Sequence, residues 1–248
     1  MKVVFHEDFN QVYTRDPAAA AGRMEVIVEA LGSHVEYVRA ESASEGDIFA
    51  VHSESHIASV RRMGLYPIAA LAAGGAVQAA VLGMEGPCFA LIRPPGHHAS
   101  ADSCWGFCFF NNMAVALTHL KLKERISSAY VLDIDLHFGD GTVNILEGRS
   151  WATVHNVQAH SREEYMEEVA DEMARCDADI IGISAGFDNH ELDWGGTLST
   201  NDYCEIGRLV RRAARGQGGG CFAVLEGGYN HSVLGHNVMA LIEGLSEE

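Results

Sequence analysis

At 248 residues, 48% hydrophobic and 21% charged, the chain is long enough for one well-cored domain and shows no linker that would divide it, so residues 1–248 read as a single unit. A formal net charge of −17 argues against nucleic acid or an anionic membrane as partner and is compatible with a cationic substrate such as a polyamine or a lysine side chain. No apolar run reads as a membrane span, Met1-Lys2 leads into a strand without a signal peptide, and six cysteines without a C-x-x-C pair read as reduced thiols, which makes the cytoplasm the expected location.

Lys2–Phe5 reads as a strand, and Asp16-Pro17 as the start of a helix running to about Leu31, with Pro at its first position. Val35–Val38 is a second short strand. Ser53 caps a helix carrying His56, Ile57 and Val60, and Ala69–Leu82 is an Ala-rich helix that must pack closely. Cys88–Ile92 is a buried strand running into Arg93-Pro94-Pro95-Gly96-His97-His98. Asn111–Lys121 is helical, Tyr130 opens the next strand, Trp151–His155 is another, and Ser161–Cys176 is an amphipathic helix with Ser161 and Glu164 as a capping box. Asp179–Ser184 is a strand leading to Asp188, Thr200–Arg215 is a helix, Cys221–Leu225 is a strand leading to Glu226-Gly227-Gly228-Tyr229, and Ser232–Leu245 is the last helix. Continuous apolar strands alternating with helices predict an α/β fold with a mostly parallel central sheet covered on both faces. The glycines of 216–220 lack a following Lys-Ser/Thr, so they read as a connecting loop rather than a phosphate cradle.

The most informative stretch is Tyr130–Thr142, YVLDIDLHFGDGT. Side chains two apart in a strand share a face, so Asp133, Asp135 and His137 can point together as the strand leaves the sheet. Ionisable groups crowded at a buried strand end need a partner, and carboxylates with a neutral imidazole suit zinc or a similar ion. Four polar clusters follow the C-terminal ends of apolar strands: His97-His98, the Asp133–Asp140 group, Asp188 and Tyr229. That edge is where open α/β sheets bind ligands. Each cluster alone has a plainer reading as a polar turn, a helix cap or a loop aromatic; their joint placement outweighs it. Asp135, His137 and Asp188 leave a coordination position open, as catalytic zinc sites do. Asp133 and Asp140 are the carboxylates that can orient the two histidines, and Tyr229, on its Gly-Gly turn, can donate to a developing oxyanion. Together these groups suit amide or ester hydrolysis.

RPPGHHA at Arg93–Ala99, GFCFFNN at Gly106–Asn112, DIDLHFGDGT at Asp133–Thr142, SAGFDNH at Ser184–His190 and LEGGYN at Leu225–Asn230 resemble the histone deacetylase and acetylpolyamine amidohydrolase superfamily. The resemblance implies the arginase–deacetylase fold and one zinc held by Asp135, His137 and Asp188. It implies His97 and His98 as an acid–base and electrostatic pair backed by Asp133 and Asp140 respectively, Tyr229 polarising the acetyl carbonyl, and Phe107, Gly227 and Gly228 along the substrate channel. The implied substrate is an acetyl-lysine or a small cationic N-acetylated amine such as an acetylpolyamine. This sequence departs from the family in four places. Phe138 replaces a second His and is expected to reshape the channel; the segment between Arg61 and Ala69 is too short for a peptide-gripping rim loop. Asp193-Trp194-Gly195-Gly196 is one residue short, which puts Trp194 at the rim. His155 stands where a Ser would complete a structural potassium site, and the open rim leaves room for a homo-oligomer. The other readings are a zinc-containing acyl-amine binding protein without turnover and a two-metal ureohydrolase on the same fold.

Overall fold

The computed structural model describes residues 1–247. Seven strands, β1 (Lys2–Phe5), β2 (Glu36–Arg39), β3 (Cys88–Ala90), β4 (Ala129–Asp133), β5 (Ala152–Asn156), β6 (Ile180–Ala185) and β7 (Gly220–Leu225), form one sheet in the order β2-β1-β3-β7-β6-β4-β5. Every neighbouring pair is parallel. The four central strands are buried at every residue, which is why they read as unbroken apolar runs, whereas the edge strand β2 carries the polar sequence EYVR and is largely exposed. Nine helices complete the described chain: α1 (Arg23–Leu31), α2 (Glu45–Phe49), α3 (Glu54–Arg62), α4 (Tyr66–Gly83), α5 (Asn112–Leu122), α6 (Asp140–Leu146), α7 (Arg162–Arg175), α8 (Thr200–Gly216) and α9 (His231–Ser246). The α/β architecture read from the sequence is therefore the one observed.

The differences from that reading have local causes. The helix expected from Asp16 to Leu31 is broken into a single 3-10 turn at Pro17–Ala19 and α1, because Gly22 takes a left-handed φ of +83° and the Asp16 carboxylate is engaged by Thr14 rather than capping. Contrary to the sequence reading, α4 is by length and composition apolar enough to cross a membrane; in the fold it packs against β1, β3, β7 and α5 as a core helix that is apolar all round. Its small residues permit this: a Cβ on Gly74 would stand 2.0 Å from the Glu41 carbonyl. Only Met63-Gly64-Leu65 link α3 to α4, and they line a different cavity from the one around His98.

Candidate active site

The strands β3, β7, β6 and β4 are adjacent in the sheet, and the loops after them converge. Asp133 ends β4, and the chain leaves through two side-chain-to-backbone turns rather than as a continuing strand. Asp133 Oδ1 accepts from the Asp135 amide at 3.1 Å, and Asp135 Oδ1 accepts from the His137 amide at 2.9 Å. The Leu136 amide donates to Asp188 Oδ1 at 3.0 Å, tying the loop after β6 to the same place. Asp135, His137 and Asp188 thereby bring one ligand atom each to within 4.8 Å of one another. His137 Nδ1 bonds Asp135 Oδ1 at 3.1 Å, which leaves Asp188 Oδ2, 3.0 Å from the same nitrogen, buried without an aligned donor. An orphaned carboxylate oxygen beside a second buried carboxylate is a costly arrangement that a dication relieves. An O, N, O donor set beside an open cavity fits zinc or a similar ion.

The charges bear the mark of this crowding. Burial and the neighbouring Asp135 push Asp188 up to about 6, and the carboxylates of Asp135 and Asp188 beside its Nδ1 pull His137 up to about 10. Burial opposes ionisation of Asp135, yet His97 and His137 outweigh it and hold that carboxyl below the usual range.

The loop after β3 places the two histidines side by side, ring centroids 4.0 Å apart. Each has its own carboxylate, as the sequence suggested: His97 Nδ1 lies 3.2 Å from Asp133 Oδ2, and His98 Nδ1 lies 2.7 Å from Asp140 Oδ1. Their environments separate them. Burial works against a charge on His97, but Asp135 and Asp133 lift it well above the ordinary histidine value. His98 is pushed down to about 4 by burial and by the charge on His97. The two touching imidazoles are thus driven in opposite directions, His97 towards its charged form and His98 towards its neutral form. Asp140 is the first residue of α6; burial raises it, and the bonds from His98 and Trp105 bring it below the usual carboxylate range.

Tyr229 follows β7, and its amide and that of Asn230 donate to Asp193 Oδ2 at 2.8 and 2.7 Å. Trp194 stacks on the Tyr229 ring at 4.0 Å and meets His137 edge-on, so it does stand at the rim. Burial and the charges of Asp135 and Asp188 push the Tyr229 hydroxyl above the usual phenol range, so it is a protonated donor. His97, His98, Phe107, His137, Trp194 and Tyr229 line one cavity of 110 Å³, together with Gly227 and Trp105.

Two sequence expectations are corrected. Phe138 does not line this cavity: beyond the turns at Asp135 and His137 its side chain goes to a separate groove beside β5 with Val143, His155 and Glu168. Gly228 lies behind the turn, where a side chain would face Leu234 and Phe187 rather than the cavity. In β5, Asn156 pairs with Asp133 and His155 with Leu132, and the His155 ring turns to Glu168 at 2.7 Å.

Three residues were not singled out from sequence. Arg23, fully buried, donates from Nε to the Gly228 carbonyl at 2.8 Å and from Nη2 to the Glu226 carbonyl at 2.6 Å, clamping the Tyr229 turn. Glu226 Oε2 accepts from the amides of Gly96 and His97 at 2.6 and 3.2 Å, joining the β7 loop to the histidine loop; burial pushes its carboxyl up to about 7. Trp105 donates from Nε1 to Asp140 Oδ2 at 2.9 Å. Only the motif position of Glu226 signalled its importance; Arg23 and Trp105 are brought in by tertiary structure.

The sequence matches the profile of the histone deacetylase domain over residues 18–168 and 162–245. A probable deacetylase of Methanothermobacter thermautotrophicus is 29% identical over 286 aligned residues, covering 92% of this chain and 85% of that protein. A histone deacetylase-like amidohydrolase of Pseudomonas aeruginosa is 27% identical over 300 residues, covering 93% and 78%. A human polyamine deacetylase is 26% identical over 320 residues, covering 98% of this chain but 47% of the human protein. The solved structure of an HDA15 HD domain superposes with a TM-score of 0.85 at 22% identity, covering 98% of this chain and 88% of that one.

Proposed function

Because this chain belongs to the histone deacetylase domain family, and is by that kinship a hydrolase of the deacetylase and amidohydrolase kind, we propose that it is a zinc-dependent deacetylase cleaving an N-acetyl amine to acetate and the free amine. The observation that carries the reading is geometric: two adjacent histidines, each held by its own carboxylate and shifted in opposite directions by its surroundings, share one cavity with the Asp135, His137, Asp188 triad. Environments that drive two titratable groups apart mark the acid–base assignments.

Asp135, His137 and Asp188 would hold the ion, and when bound it supplies Lewis acidity to the acyl oxygen and to water. Neutral His98 takes the proton that water loses as it adds to the acyl carbon, and gives a proton to the amine nitrogen as the C–N bond breaks. Asp140 fixes the His98 tautomer by accepting from Nδ1, which presents Nε2 to the cavity. His97, between Asp133 and Asp135, which favour its charged form, is the electrostatic member of the pair. Tyr229 donates its hydroxyl to the acyl oxygen as negative charge develops there. Phe107 and Trp194 wall the cavity and leave room for a slender stem.

The substrate reading is a small cationic acyl amine of the acetylpolyamine or acetyl-lysine type. The net charge of −17 favours a cation, no Lys or Arg lines the cavity among the described residues, and a human relative is named a polyamine deacetylase. The test is acetate release from N-acetylputrescine and from an acetyl-lysine amide by the zinc-loaded protein. Release at least a hundred times faster than from a His98→Ala variant is expected. Rates indistinguishable from that variant on both substrates would end the reading.

A further inference from the structure

The loop between the histidine pair and α5 wraps closely round His98. Trp105 lies against the His98 ring with centroids 3.9 Å apart and planes inclined by 33°. Gly106 follows with a φ of +58°, and a Cβ there would stand 2.3 Å from His98 Cδ2, so only hydrogen lets the backbone come this close. Phe107 also has a left-handed φ, +69°, a conformation that non-glycine residues rarely adopt and that the surrounding structure must enforce. The His98 amide points at Cys108 Sγ at 3.4 Å. The segment from 105 to 108 therefore touches His98 on its face, its edge and its backbone.

Within that clasp the indole is engaged twice. Its ring covers His98, and its Nε1–H goes to Asp140 Oδ2 while Asp140 Oδ1 receives His98 Nδ1. A side chain present only for packing would not need its single donor aimed at the second oxygen of that carboxylate. With both oxygens engaged, Asp140 has one orientation available, and the His98 ring has one tilt. Trp105 is itself 56% exposed, so burial alone does not explain a large aromatic here.

We propose that Trp105 is a positioning residue for the His98–Asp140 pair, holding the carboxylate through its indole N–H and the imidazole through its ring face. The inference rests on the reading of His98 as the base. Two variants separate its contributions. Trp105→Phe keeps a ring over His98 and loses the donor, and should lower kcat about 5-fold, the usual effect of one hydrogen bond. Trp105→Ala loses both, and should lower kcat about 10- to 100-fold, as removal of a supporting partner does in metal sites. KM, bound-metal stoichiometry and melting temperature should stay close to those of the parent in both. In an Asp140→Ala background, Trp105→Phe should cost nothing more, since the donor has lost its acceptor. Wild-type kcat in Trp105→Phe, an equal loss in the Asp140→Ala background, or a loss confined to KM or metal content would each overturn the assignment. A readout independent of turnover keeps this apart from the proposed activity. In the ¹⁵N-labelled protein the Trp105 indole proton should resonate downfield and move upfield in Asp140→Ala. An unmoved resonance would refute the bond even if no substrate is found, and a moved one in an inactive protein would fault the activity alone.

Discussion

Gly227 offers the most direct structural probe of the proposed metal triad. A Cβ at this position would stand 2.6 Å from Asp135 Oδ2 and 2.6 Å from Asp188 Oδ2, where ordinary contact begins at 3.4 Å. In Gly227→Ala each carboxylate must retreat by about 0.8 Å, or the turn must move, whereas metal–ligand distances tolerate only about 0.2 Å. The Gly227 amide also donates to Asp135 Oδ2 at 2.8 Å, so moving the turn displaces that ligand as well. The backbone at 227 is not left-handed, and the substitution therefore acts by crowding rather than by conformational strain. Zinc affinity should fall on the order of 100-fold, read by competition with a chromophoric chelator, while the metal-free protein loses about 1–3 kcal/mol from overpacking. Gly228→Ala is the control: with φ +111° and a Cβ 2.8 Å from Leu234 Cδ1, it should destabilise the fold and leave zinc affinity nearly intact. Parental zinc affinity in Gly227→Ala would mean that these two carboxylates do not hold the ion.

Other consequences are as testable. Tyr229→Phe removes the proposed oxyanion donor and should lower kcat by about 10²–10³ with KM little changed; a loss below 10-fold would remove the hydroxyl from that role. Arg23→Met deletes two charge-assisted bonds to buried carbonyls and should cost roughly 3–5 kcal/mol in denaturant melts, so a cost under about 1 kcal/mol would show that the clamp is dispensable. Buried His52 accepts from the Asn111 amide at Nε2 and faces the Ser100 carbonyl at Nδ1, and burial, with the charge of His56, pushes it from 6.5 down to about 4. The unfolded chain takes up a proton below about pH 6.5 that the folded chain refuses, so stability is full above that pH and falls as pH drops towards 4, by up to about 3 kcal/mol. Urea melts at pH 7, 5.5 and 4.5 should show this slope in the parent and a shallower one in His52→Gln; equal slopes would contradict it.

What the sequence exposes follows from physical range. The central strands are legible because burial on both faces demands unbroken apolar runs, and the triad because its members sit at fixed offsets past strand ends. Asp133 and Asp140 could be matched to His97 and His98 once the family pattern was in view, and the geometry agrees. Phe138 misleads because a motif position says nothing about which way a side chain leaves an irregular segment. Gly22 is indistinguishable from an ordinary helical glycine until its left-handed φ breaks the expected helix. Arg23 is 205 residues from Gly228, and no local pattern announces a contact of that separation. Trp105 is one residue before a motif, yet its value depends on Asp140, 35 residues further along the chain.

The central claim is that one ion, held by Asp135, His137 and Asp188, is required for hydrolysis of an acetyl amine. Its most direct test is a titration of the metal-free protein with zinc, following acetate release from N-acetylputrescine and from an acetyl-lysine amide. The account predicts activity that rises linearly and saturates at one zinc per chain, and that a chelator abolishes. Turnover by the metal-free protein, or saturation only at two ions per chain, would contradict it.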